Sequence, residues 1–509
     1  MPSFRQKIAG LIRQLSAPSD TRPEADVSVA SSAFIQQYLN RKEAHRDEPK
    51  ILHGRSYQEL PSQKVGQLSY PVITAMTGPG GGLTTVNQQQ RCLSTSDPDV
   101  HFIDVVDDEI SCRNVDETDR QLRDANSNLS TLLPPLSSKS SLEFHPLQKS
   151  DSAPDAYSKI NFEINKNTEL KKEIAGVSEW SSGNSRAYGA SMSLYEMHPL
   201  TRVHAGEPIA DCFAIVSRKN SAIIVLADGV NWGHKASLAA RAAVHGCVDY
   251  LNKAIFSKPT QGVTTTTDVF IALLRSFHAA HTLILQEQGM LTTLTAAVVL
   301  PSAVPDKYIV CACNVGDSLA YVYSPKYGVR EITQGSHDVH SMRDMRDALG
   351  ALGPVDGQNP ELSNLTLSMT DVFPGDVVFL TSDGVSDNLD PVVGKFAGLP
   401  SIEAHQRHRL TLLRTEDLLK HGVSGKGPSC TSAKELVKLL LDFVTHLTAA
   451  KRRILEDVEL YSGAEGKALS RSEQRCKRKE ICGKLALVPG KLDHATCVAY
   501  TVGDVQPFS

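Results

Sequence analysis

The stretch IIVLADGVNWGHKAS, residues 223–237, changes character in its middle. Before Asp228 the chain is apolar and rich in Ile and Val, as in a buried strand, and after Gly233 small residues recur with helical periodicity. An Asp-Gly pair between a strand and a helix is usually a turn, because Asp bonds its own backbone and Gly tolerates positive φ. The stretch therefore predicts a strand–turn–helix unit with a carboxylate at the end of the strand.

Two more segments carry an aspartate at a strand end. VVFLTSDGVSDNLD, residues 377–390, repeats the pattern with Asp383, and GKLDHATCVAYTV, residues 490–502, places Asp493 directly before a strand. If these strand ends converge, their like charges raise one another's pKa unless cations neutralise them. Carboxylate and carbonyl oxygens suit hard ions such as Mg²⁺ and Mn²⁺. The pattern therefore favours a divalent-metal site over a zinc site, for which the sequence has no Cys or His cluster.

Charge and cysteine content narrow the function further. The 509 residues contain 53 Lys and Arg against 57 Asp and Glu, so no basic field predicts nucleic-acid binding. The cysteines form no CxxC pair, and Cys311 and Cys313 fall on one face of a predicted strand. They indicate buried thiols in a reducing compartment, which predicts a cytoplasmic protein. We expect no transmembrane segment, because no apolar stretch approaches the length of a membrane span.

Residues 1–178 differ in composition from the rest of the chain. From about residue 17 onward they are rich in Ser, Thr, Pro, Gln and Asp, so this region is predicted to be largely disordered. Before it, MPSFRQKIAGLIRQLSAPSD, residues 1–20, places apolar side chains on one helical face with basic residues beside it. Three interpretations of this short amphipathic helix stay open: packing on the domain itself, docking on a membrane surface, or a mitochondrial presequence.

Residues 179–505 are predicted to form the folded domain. Two stripes of apolar residues with helical spacing, Ala236–Leu251 and Phe270–Ile284, predict a helical hairpin that packs on a sheet. His281 lies within the second stripe and is interpreted as a core histidine with satisfied hydrogen bonds. Short runs rich in Val, Ile, Ala and Tyr predict strands at Ala222–Leu226, Ala296–Leu300, Tyr308–Ala312, Ala320–Tyr323, Asp376–Leu380 and Thr496–Val502.

Four motifs together resemble a known family. Asp228-Gly229, NVGDSLAYV at residues 314–322, SDGVSD at residues 382–387 and DHAT at residues 493–496 follow one another as in the PPM-type, or type-2C, protein phosphatases. Thr292-Thr293 before a strand also resembles a segment of that family. The similarity spans roughly residues 188–502, and four motifs in the right order are more specific than any one of them.

This resemblance has implications for fold, site and activity. It implies an α+β fold, a four-layer αββα sandwich in which two central antiparallel sheets are flanked by helices. It implies two ions, Mg²⁺ or Mn²⁺, that Asp228 bridges, with the carbonyl of Gly229 as an additional ligand. Asp383 and Asp493 would complete the ligands of the first metal. It also implies hydrolysis of phosphoserine and phosphothreonine in phosphoprotein substrates, by a hydroxide that bridges the metals.

The sequence departs from the family where an Arg for the substrate phosphate and a Glu for the second metal are expected. In GEPIADCFAIV, residues 206–216, Asp211 aligns with the family's Asp, but Ala210 occupies the Glu position and no Arg stands four residues earlier. The candidates that would replace these groups are Glu207 for the carboxylate, and Arg202 or Arg186 for phosphate binding. Because the motif lacks the family's Arg, we expect weak binding of the substrate phosphate.

Other polar residues near the motifs have more than one interpretation. Asp211, Asp317 and Asp387 are candidates either for ligands of an additional metal or for supporting groups behind the first ligands. For Asp317 and Asp387, a structural role in a turn is the alternative. Asn388 is expected to close a turn. Val230 replaces a His that donates a proton in animal members of the family, and His234 is interpreted as a surface residue at a helix start.

The stretch at about residues 393–490 is enlarged relative to the family. Helices are predicted at about Thr415–His421 and Ala433–Leu455, followed by the basic segment RSEQRCKRKEICGK, residues 471–484. Solvated helix surface is the ordinary interpretation of those charges, and a docking surface for a protein partner is the alternative.

Two functions of different class follow from these residues. The retained aspartates favour a metal-dependent protein serine/threonine phosphatase. The missing Arg and Glu favour a catalytically weak or dead pseudophosphatase that uses the same fold as a protein-binding module. Turnover of a phosphomonoester with and without Mn²⁺ separates the two.

Overall fold

The computed structural model describes residues 47–85, 173–256, 263–333, 350–395, 404–463 and 468–503. Within these ranges, seven strands form the larger of two main antiparallel sheets: β1 (Leu52–Gly54), β2 (Val72–Gly78), β4 (Cys212–Arg218), β5 (Ala222–Ala227), β6 (Leu294–Pro301), β7 (Tyr308–Val315) and β12 (Thr366–Val372). Their spatial order is β1-β12-β7-β6-β5-β4-β2.

Five described strands form the smaller sheet: β3 (Ala187–Ser193), β8 (Leu319–Ser324), β9 (Gly328–Glu331), β13 (Val377–Thr381) and β14 (His494–Thr501). Their spatial order is β3-β14-β13-β8-β9, again with antiparallel neighbours. A separate hairpin joins β10 (Ala351–Asp356) to β11 (Asn359–Glu361). The six strands predicted from the sequence are all present, with boundaries within three residues of those expected.

Helices cover the outer face of each sheet. The described helices are α1 (His234–Phe256), α2 (Thr266–Gln286), α3 (Asp383–Leu389), α4 (Ala404–His421), α5 (Ala433–Leu455) and α6 (Arg471–Leu487), with short 3-10 turns at Tyr57–Glu59, Gly82–Thr85 and Val458–Leu460. The helices α1 and α2 pack on the larger sheet, and α5 packs on the smaller one. The predicted four-layer αββα sandwich is therefore confirmed.

Burial on both faces explains why the strands are apolar throughout. In β5, Ile224 and Leu226 point toward the smaller sheet, whereas Ile223 and Val225 point toward the helices. All four side chains are fully buried. Side chains alternate across a strand, so a strand covered on both sides has no polar face to display.

Helix α2 and the β10–β11 hairpin share a buried histidine. The backbone N–H of Gly353 donates to His281 Nδ1 at 3.1 Å, and His281 Nε2 donates to the carbonyl of Gln358 at 3.0 Å. This confirms His281 as a core residue with satisfied hydrogen bonds. Among the described helices, α2 is long and apolar enough to cross a membrane by length and composition alone, although the sequence analysis expected no such stretch. Its apolar face, however, is buried in the core over the larger sheet.

Residues 47–85 show that the prediction of a largely disordered chain before residue 178 was wrong for this segment. Strand β1 pairs with β12 and β2 pairs with β4, so the segment supplies both edge strands of the larger sheet. Strand β1 has only three residues, and the first two residues of both strands are exposed, so neither strand is buried along its whole length as the central strands are. The predicted amphipathic helix at residues 1–20 lies outside the described residues.

The enlarged stretch at residues 393–490 holds α4, α5 and α6. Helix α5 has the predicted bounds, whereas α4 begins at Ala404, eleven residues before the expected start at Thr415. The basic segment forms most of α6, whose first turn is fixed by Ser470 and Glu473 in a reciprocal capping box. Only two of its side chains, Cys482 and Leu485, are buried. The basic charges are therefore mainly solvated helix surface.

Candidate active site

Strand register places two aspartates side by side at one end of the larger sheet. Cys212 at the start of β4 lies opposite Ala227 at the end of β5, so the adjoining residues Asp211 and Asp228 are neighbours. Asp211 is fully buried and neither carboxylate oxygen has a well-formed hydrogen bond to the described residues. Burial raises the pKa of Asp211 to about 6. Burial, followed by the charges of Asp211 and Asp383, raises the pKa of Asp228 well above its usual range.

The predicted Thr-Thr segment holds the backbone of Asp228. The carbonyl of Asp228 accepts from Thr293 N at 2.8 Å and from Thr292 Oγ1 at 2.8 Å, and Asp228 N donates to Thr293 Oγ1 at 3.0 Å. A single bridge pairs Gly229 with Thr292. Three hydrogen bonds thus fix the peptide that carries the predicted bridging carboxylate, so the two threonines position Asp228.

The smaller sheet brings a second group of aspartates to the same cleft. Thr381 at the end of β13 lies opposite Cys497 near the start of β14, so Asp383 and Asp493 extend from adjacent strand ends. Asp387 lies one helical turn after Asp383 in α3, on the same face. Asp383 lies near Asp228, and its charge adds to burial and to the charge of Asp211 in raising the pKa of Asp228. The predicted ligands are therefore brought together.

The Ser-Asp-Gly turn seals α3 against β14. Ser382 Oγ accepts from the backbone N–H of Thr496 at 2.9 Å. A Cβ atom at Gly384 would lie only 1.9 Å from the carbonyl oxygen of His494, so no larger residue fits between the helix and the strand. The glycine after the aspartate thus permits a close approach of two backbones that fixes the direction of Asp383.

A lysine that the motif analysis did not predict lies among these carboxylates. The Lys491 ammonium is 2.6 Å from Asp383 Oδ2, 3.0 Å from Asp387 Oδ2 and 3.0 Å from Asp493 Oδ2. Burial alone would lower the pKa of Lys491, but the three carboxylates outweigh it and raise that pKa well above the usual value. Burial would likewise raise the pKa of Asp383, and the charge and hydrogen bond of Lys491 lower it instead.

Asn388 and Gly490 hold the backbone on either side of the lysine. Asn388 Oδ1 accepts from Lys491 N at 2.8 Å, and Asn388 Nδ2 donates to the Lys491 carbonyl at 3.0 Å. Gly490 has a φ of +96° and donates to the carbonyl of Val393 at 2.9 Å. Asn388 lies inside α3 and also donates to the Gly384 carbonyl of that helix at 2.7 Å, so it clamps Lys491 to the helix and does not close a turn as expected.

The two remaining predicted aspartates behave differently. Asp317 lies in the turn between β7 and β8, and burial followed by the charge of Asp383 raises its pKa to about 7. Asp387 is almost completely buried beside Lys491, and burial raises its pKa well above the usual range despite that lysine. Both belong to the same acidic cleft, although only Asp387 contacts the ammonium group directly.

Aromatic residues close the place where the family's Arg would stand. Gly206 has a φ of +79°, and a Cβ atom there would lie 2.5 Å from the ring of Tyr195. His494 Nε2 donates to the Gly206 carbonyl at 2.7 Å, and His494 Nδ1 accepts from Ala210 N at 3.3 Å. Tyr195 also donates to Asp493 Oδ1 at 3.1 Å and stacks on Trp232. An Arg at position 206 is therefore incompatible with this backbone.

The candidate replacements for the missing groups lie elsewhere. Arg186 donates to the carbonyls of Thr501 and Lys219. Thr501 ends β14, which begins next to Asp493, so Arg186 lies about 25 Å along the strand from the cleft. This placement contradicts a role for Arg186 in phosphate binding. Arg202 lies in an exposed turn at a φ of +61°, and its role stays a prediction.

The other candidates near the cleft are exposed or apolar. Glu207 is exposed, although it follows the buried Gly206 directly. Ala210 is fully buried and offers no ligand. His234 is exposed at the first residue of α1, as expected, and Val230 is half-buried. The position of the family's second-metal Glu therefore has no carboxylate in this chain.

The donor set fits a divalent cation better than a complete metal pair. In its favour, Asp383 Oδ1 and both oxygens of Asp211 are buried without a formed hydrogen bond to the described residues. Against a pair, Ala210 supplies no carboxylate and the Lys491 ammonium takes three others.

A four-layer αββα sandwich with strand-end aspartates at one cleft defines a phosphatase-type domain. A family model described as Protein phosphatase 2C matches residues 201–416. The "PP2C-like domain-containing protein CG9801" of Drosophila melanogaster is 36% identical over 678 aligned positions, which cover 99% of this chain and 96% of the relative. The chain therefore belongs to the protein phosphatase 2C family.

Solved structures of bacterial phosphatases are also similar. The serine/threonine phosphatase PstP/Ppp of Mycobacterium tuberculosis is 15% identical, with a TM-score of 0.32 and coverage of 63% of this chain and 100% of that one. The catalytic domain of PstP in complex with 2 manganese ions is 16% identical, with a TM-score of 0.30 and coverage of 63% and 99%.

The sequence did contain a signal for Lys491. In GKLDHAT the lysine stands two residues before Asp493, and residues two apart in an extended chain point to the same side. The side chain of Lys491 is therefore expected to face the same cleft as that of Asp493. Tyr195 and His494 had no comparable signal, because their contacts join segments almost 300 residues apart.

Proposed function

We propose that this chain is a metal-dependent protein serine/threonine phosphatase with low intrinsic activity. One observation carries the proposal: among the described residues, six aspartates from the ends of both sheets share one cleft with the ammonium group of Lys491, so the acidic groups outnumber that cation and divalent ions would offset the difference. These aspartates are Asp211, Asp228, Asp317, Asp383, Asp387 and Asp493.

Four groups would hold Mg²⁺ or Mn²⁺ in this proposal: the carboxylates of Asp228, Asp383 and Asp493 and the carbonyl of Gly229. Divalent ions at such a site supply Lewis acidity for the attack of water on phosphorus. The protein's own side chains hold these ligands in fixed positions. Thr292 and Thr293 fix the Asp228 peptide, and Tyr195 donates to Asp493, so the carboxylates are oriented before substrate binds.

Substrate binding is the weak step in this site. The Gly206 backbone, its hydrogen bond to His494 and the ring of Tyr195 leave no space for a guanidinium at the family's Arg position. A phosphate would therefore lack a bidentate clamp, which lowers affinity for the bound substrate. We expect a raised KM for phosphoserine and phosphothreonine substrates and a need for high concentrations of Mn²⁺.

The second candidate function is a pseudophosphatase that binds a protein partner. Ala210 at the Glu position and the closed Arg position favour it, because two groups used in the chemistry are absent. Helix α6 offers an exposed basic surface that would suit an acidic partner segment, and Arg478 anchors the helix to Glu196 at 3.0 Å. This surface stays a proposal for a partner site.

Phosphate release from a phosphothreonine peptide, measured with and without Mn²⁺, tests the first function. We expect slow, Mn²⁺-dependent release that Asp228→Asn reduces by at least about tenfold, since a neutral amide replaces an anionic ligand. Asp371→Asn is the matched control, because Asp371 pairs with Lys307 at 2.8 Å outside the cleft. Absence of release from a folded protein that binds Mn²⁺ would favour the pseudophosphatase.

A further inference from the structure

We propose that the Lys491 ammonium occupies the place of a cation in the acidic cleft, so that a divalent metal must displace it in order to bind. The inference deepens the proposed function and rests on it in one respect, since it takes the cleft to be the metal site. Its direct subject is the competition between a side chain of this protein and a metal for the same carboxylates.

The Lys491 ammonium group has as many hydrogen-bond donors as there are aspartate oxygens close to it. An ammonium group has three N–H donors, and one oxygen from each of three aspartates lies within 3.0 Å of Lys491 Nζ. Two of those aspartates, Asp383 and Asp493, are the predicted metal ligands. An ion between their two carboxylates would stand where the ammonium stands, because both ligands already point at the lysine.

The lysine is built into the cleft and is not a surface side chain that happens to reach it. Asn388 bonds both the N–H and the carbonyl of Lys491, at 2.8 and 3.0 Å. Lys451 Nζ donates to the carbonyl of Gly490 at 2.6 Å, and Gly490 N bonds Val393. These contacts fix the start of the side chain, which is only 22% exposed.

Competition follows from charge and space together. A divalent ion placed beside the ammonium would meet a like charge at contact distance, which is unfavourable in a partly buried site. Withdrawal of the ammonium would in turn leave three carboxylates unpaired until the ion arrives. Each cation therefore excludes the other, and the apparent affinity for metal is reduced by the cost of moving Lys491.

Direct titration with Mn²⁺ tests the inference without any enzymatic readout. Free Mn²⁺ is measured by electron paramagnetic resonance during titration of the full-length chain and of Lys491→Met, which keeps the length of the side chain and removes its charge. We expect the variant to bind Mn²⁺ at least about tenfold more tightly than the wild type. Equal affinities would overturn the proposal.

A matched control separates this effect from the loss of any paired lysine. Lys307 forms an ion pair with Asp371 at 2.8 Å and is 26% exposed, close to the 22% of Lys491. We expect Lys307→Met to leave the Mn²⁺ affinity at the wild-type value. A gain in affinity for Lys307→Met equal to that for Lys491→Met would show a general charge effect and would overturn the proposal.

A second pair of variants keeps the test valid if Lys491→Met does not fold. Asp387→Asn removes one of the repelling carboxylates and leaves Asp228, Asp383 and Asp493 intact. The double variant Lys491→Met/Asp387→Asn is then compared with Asp387→Asn alone. Tighter Mn²⁺ binding by the double variant supports the proposal, and equal binding contradicts it.

The Mn²⁺ titration and the phosphatase assay fail independently. Tighter metal binding without phosphate release would support the role of Lys491 and contradict the proposed enzyme. Phosphate release by the wild type, with the same Mn²⁺ affinity in Lys491→Met, would support the enzyme and contradict the role of Lys491.

Discussion

The two main sheets contribute to the cleft in different ways. The larger sheet supplies Asp228 on a peptide fixed by Thr292 and Thr293, with Asp211 buried behind it. The smaller sheet supplies carboxylates that already have a cation, the ammonium of Lys491. The side of the cleft formed by the larger sheet is thus rigid and has buried carboxylate oxygens without formed hydrogen bonds to the described residues. On the side formed by the smaller sheet, the protein's own lysine partly neutralises the negative charge.

This difference shows what a motif can and cannot reveal. Both sheets place an aspartate at a strand end, and the two sequence patterns look alike. The position of Lys491 two residues before Asp493 indicates only that both face the same side, whereas the packing of residues 490–493 against α3 shows that Lys491 is the counter-ion of these carboxylates. The sheets also differ in their construction, because both edge strands of the larger one come from residues 47–85.

The largest effect is expected from shortening the chain at its N terminus. A protein that begins at residue 179 lacks β1 and β2, which would expose the edges of β12 and β4. We expect it to lose cooperative unfolding, whereas a protein that begins at residue 47 retains it. Calorimetry compares the two. Equal transitions would show that the larger sheet does not depend on this segment, as the sequence alone had suggested.

A close backbone contact in the smaller sheet gives the next largest effect. Gly384→Ala would place a Cβ atom 1.9 Å from the carbonyl oxygen of His494, so we expect a loss of about 3 kcal/mol in the free energy of unfolding. Urea denaturation measures it. Gly483→Ala in α6 is the control, because a Cβ there meets nothing within 4 Å, and it should stabilise the helix by about 0.5–1 kcal/mol. Wild-type stability for Gly384→Ala would contradict the close packing of α3 on β14.

Asp383→Asn probes the side of the cleft that contains Lys491. We expect the rate of phosphate release to fall by at least about tenfold, because a neutral amide replaces an anionic ligand. The same change removes a carboxylate from Lys491, whose ammonium is 2.6 Å from Asp383. Steady-state assays across a range of Mn²⁺ concentrations measure the effect. A variant with wild-type rate and wild-type Mn²⁺ dependence would show that Asp383 is not a ligand.

Arg202→Ala is expected to have the smallest effect. Arg202 lies in an exposed turn, where substitutions usually change free energies by less than about 0.5 kcal/mol, so KM should change by no more than about twofold. The comparison of KM and kcat with those of the wild type is the measurement. A tenfold or larger rise in KM would establish Arg202 as the phosphate ligand that replaces the family's Arg.

The sequence was a good guide to the centre of the fold and a poor one to its edges. Strands such as β5 are buried on both faces, so their apolar runs identify them without any knowledge of their neighbours. Strands β1 and β2 gain their stability from pairing with β12 and β4, which are distant in sequence. Their own sequences give a weaker signal, because β1 has only three residues and β2 is partly exposed.

The candidate site follows the same rule. Asp228, Asp383 and Asp493 were predictable because each stands at the end of an apolar strand. The blocked Arg position was not, because it depends on the backbone of Gly206 meeting Tyr195 and His494 in space. Gly206→Arg, which would place an Arg four residues before Ala210 as in the family, is therefore expected to distort the loop instead of completing the site.

Anomalous diffraction at the manganese edge tests most directly whether Lys491 holds the place of a cation. Crystals of the wild type and of Lys491→Met are soaked side by side at one Mn²⁺ concentration. We predict strong manganese density between Asp383 and Asp493 in the variant, and weak density in the wild type wherever the ammonium keeps its contacts with the aspartates. Full manganese occupancy in the wild type, with Lys491 Nζ still 2.6 Å from Asp383 Oδ2, would contradict the account.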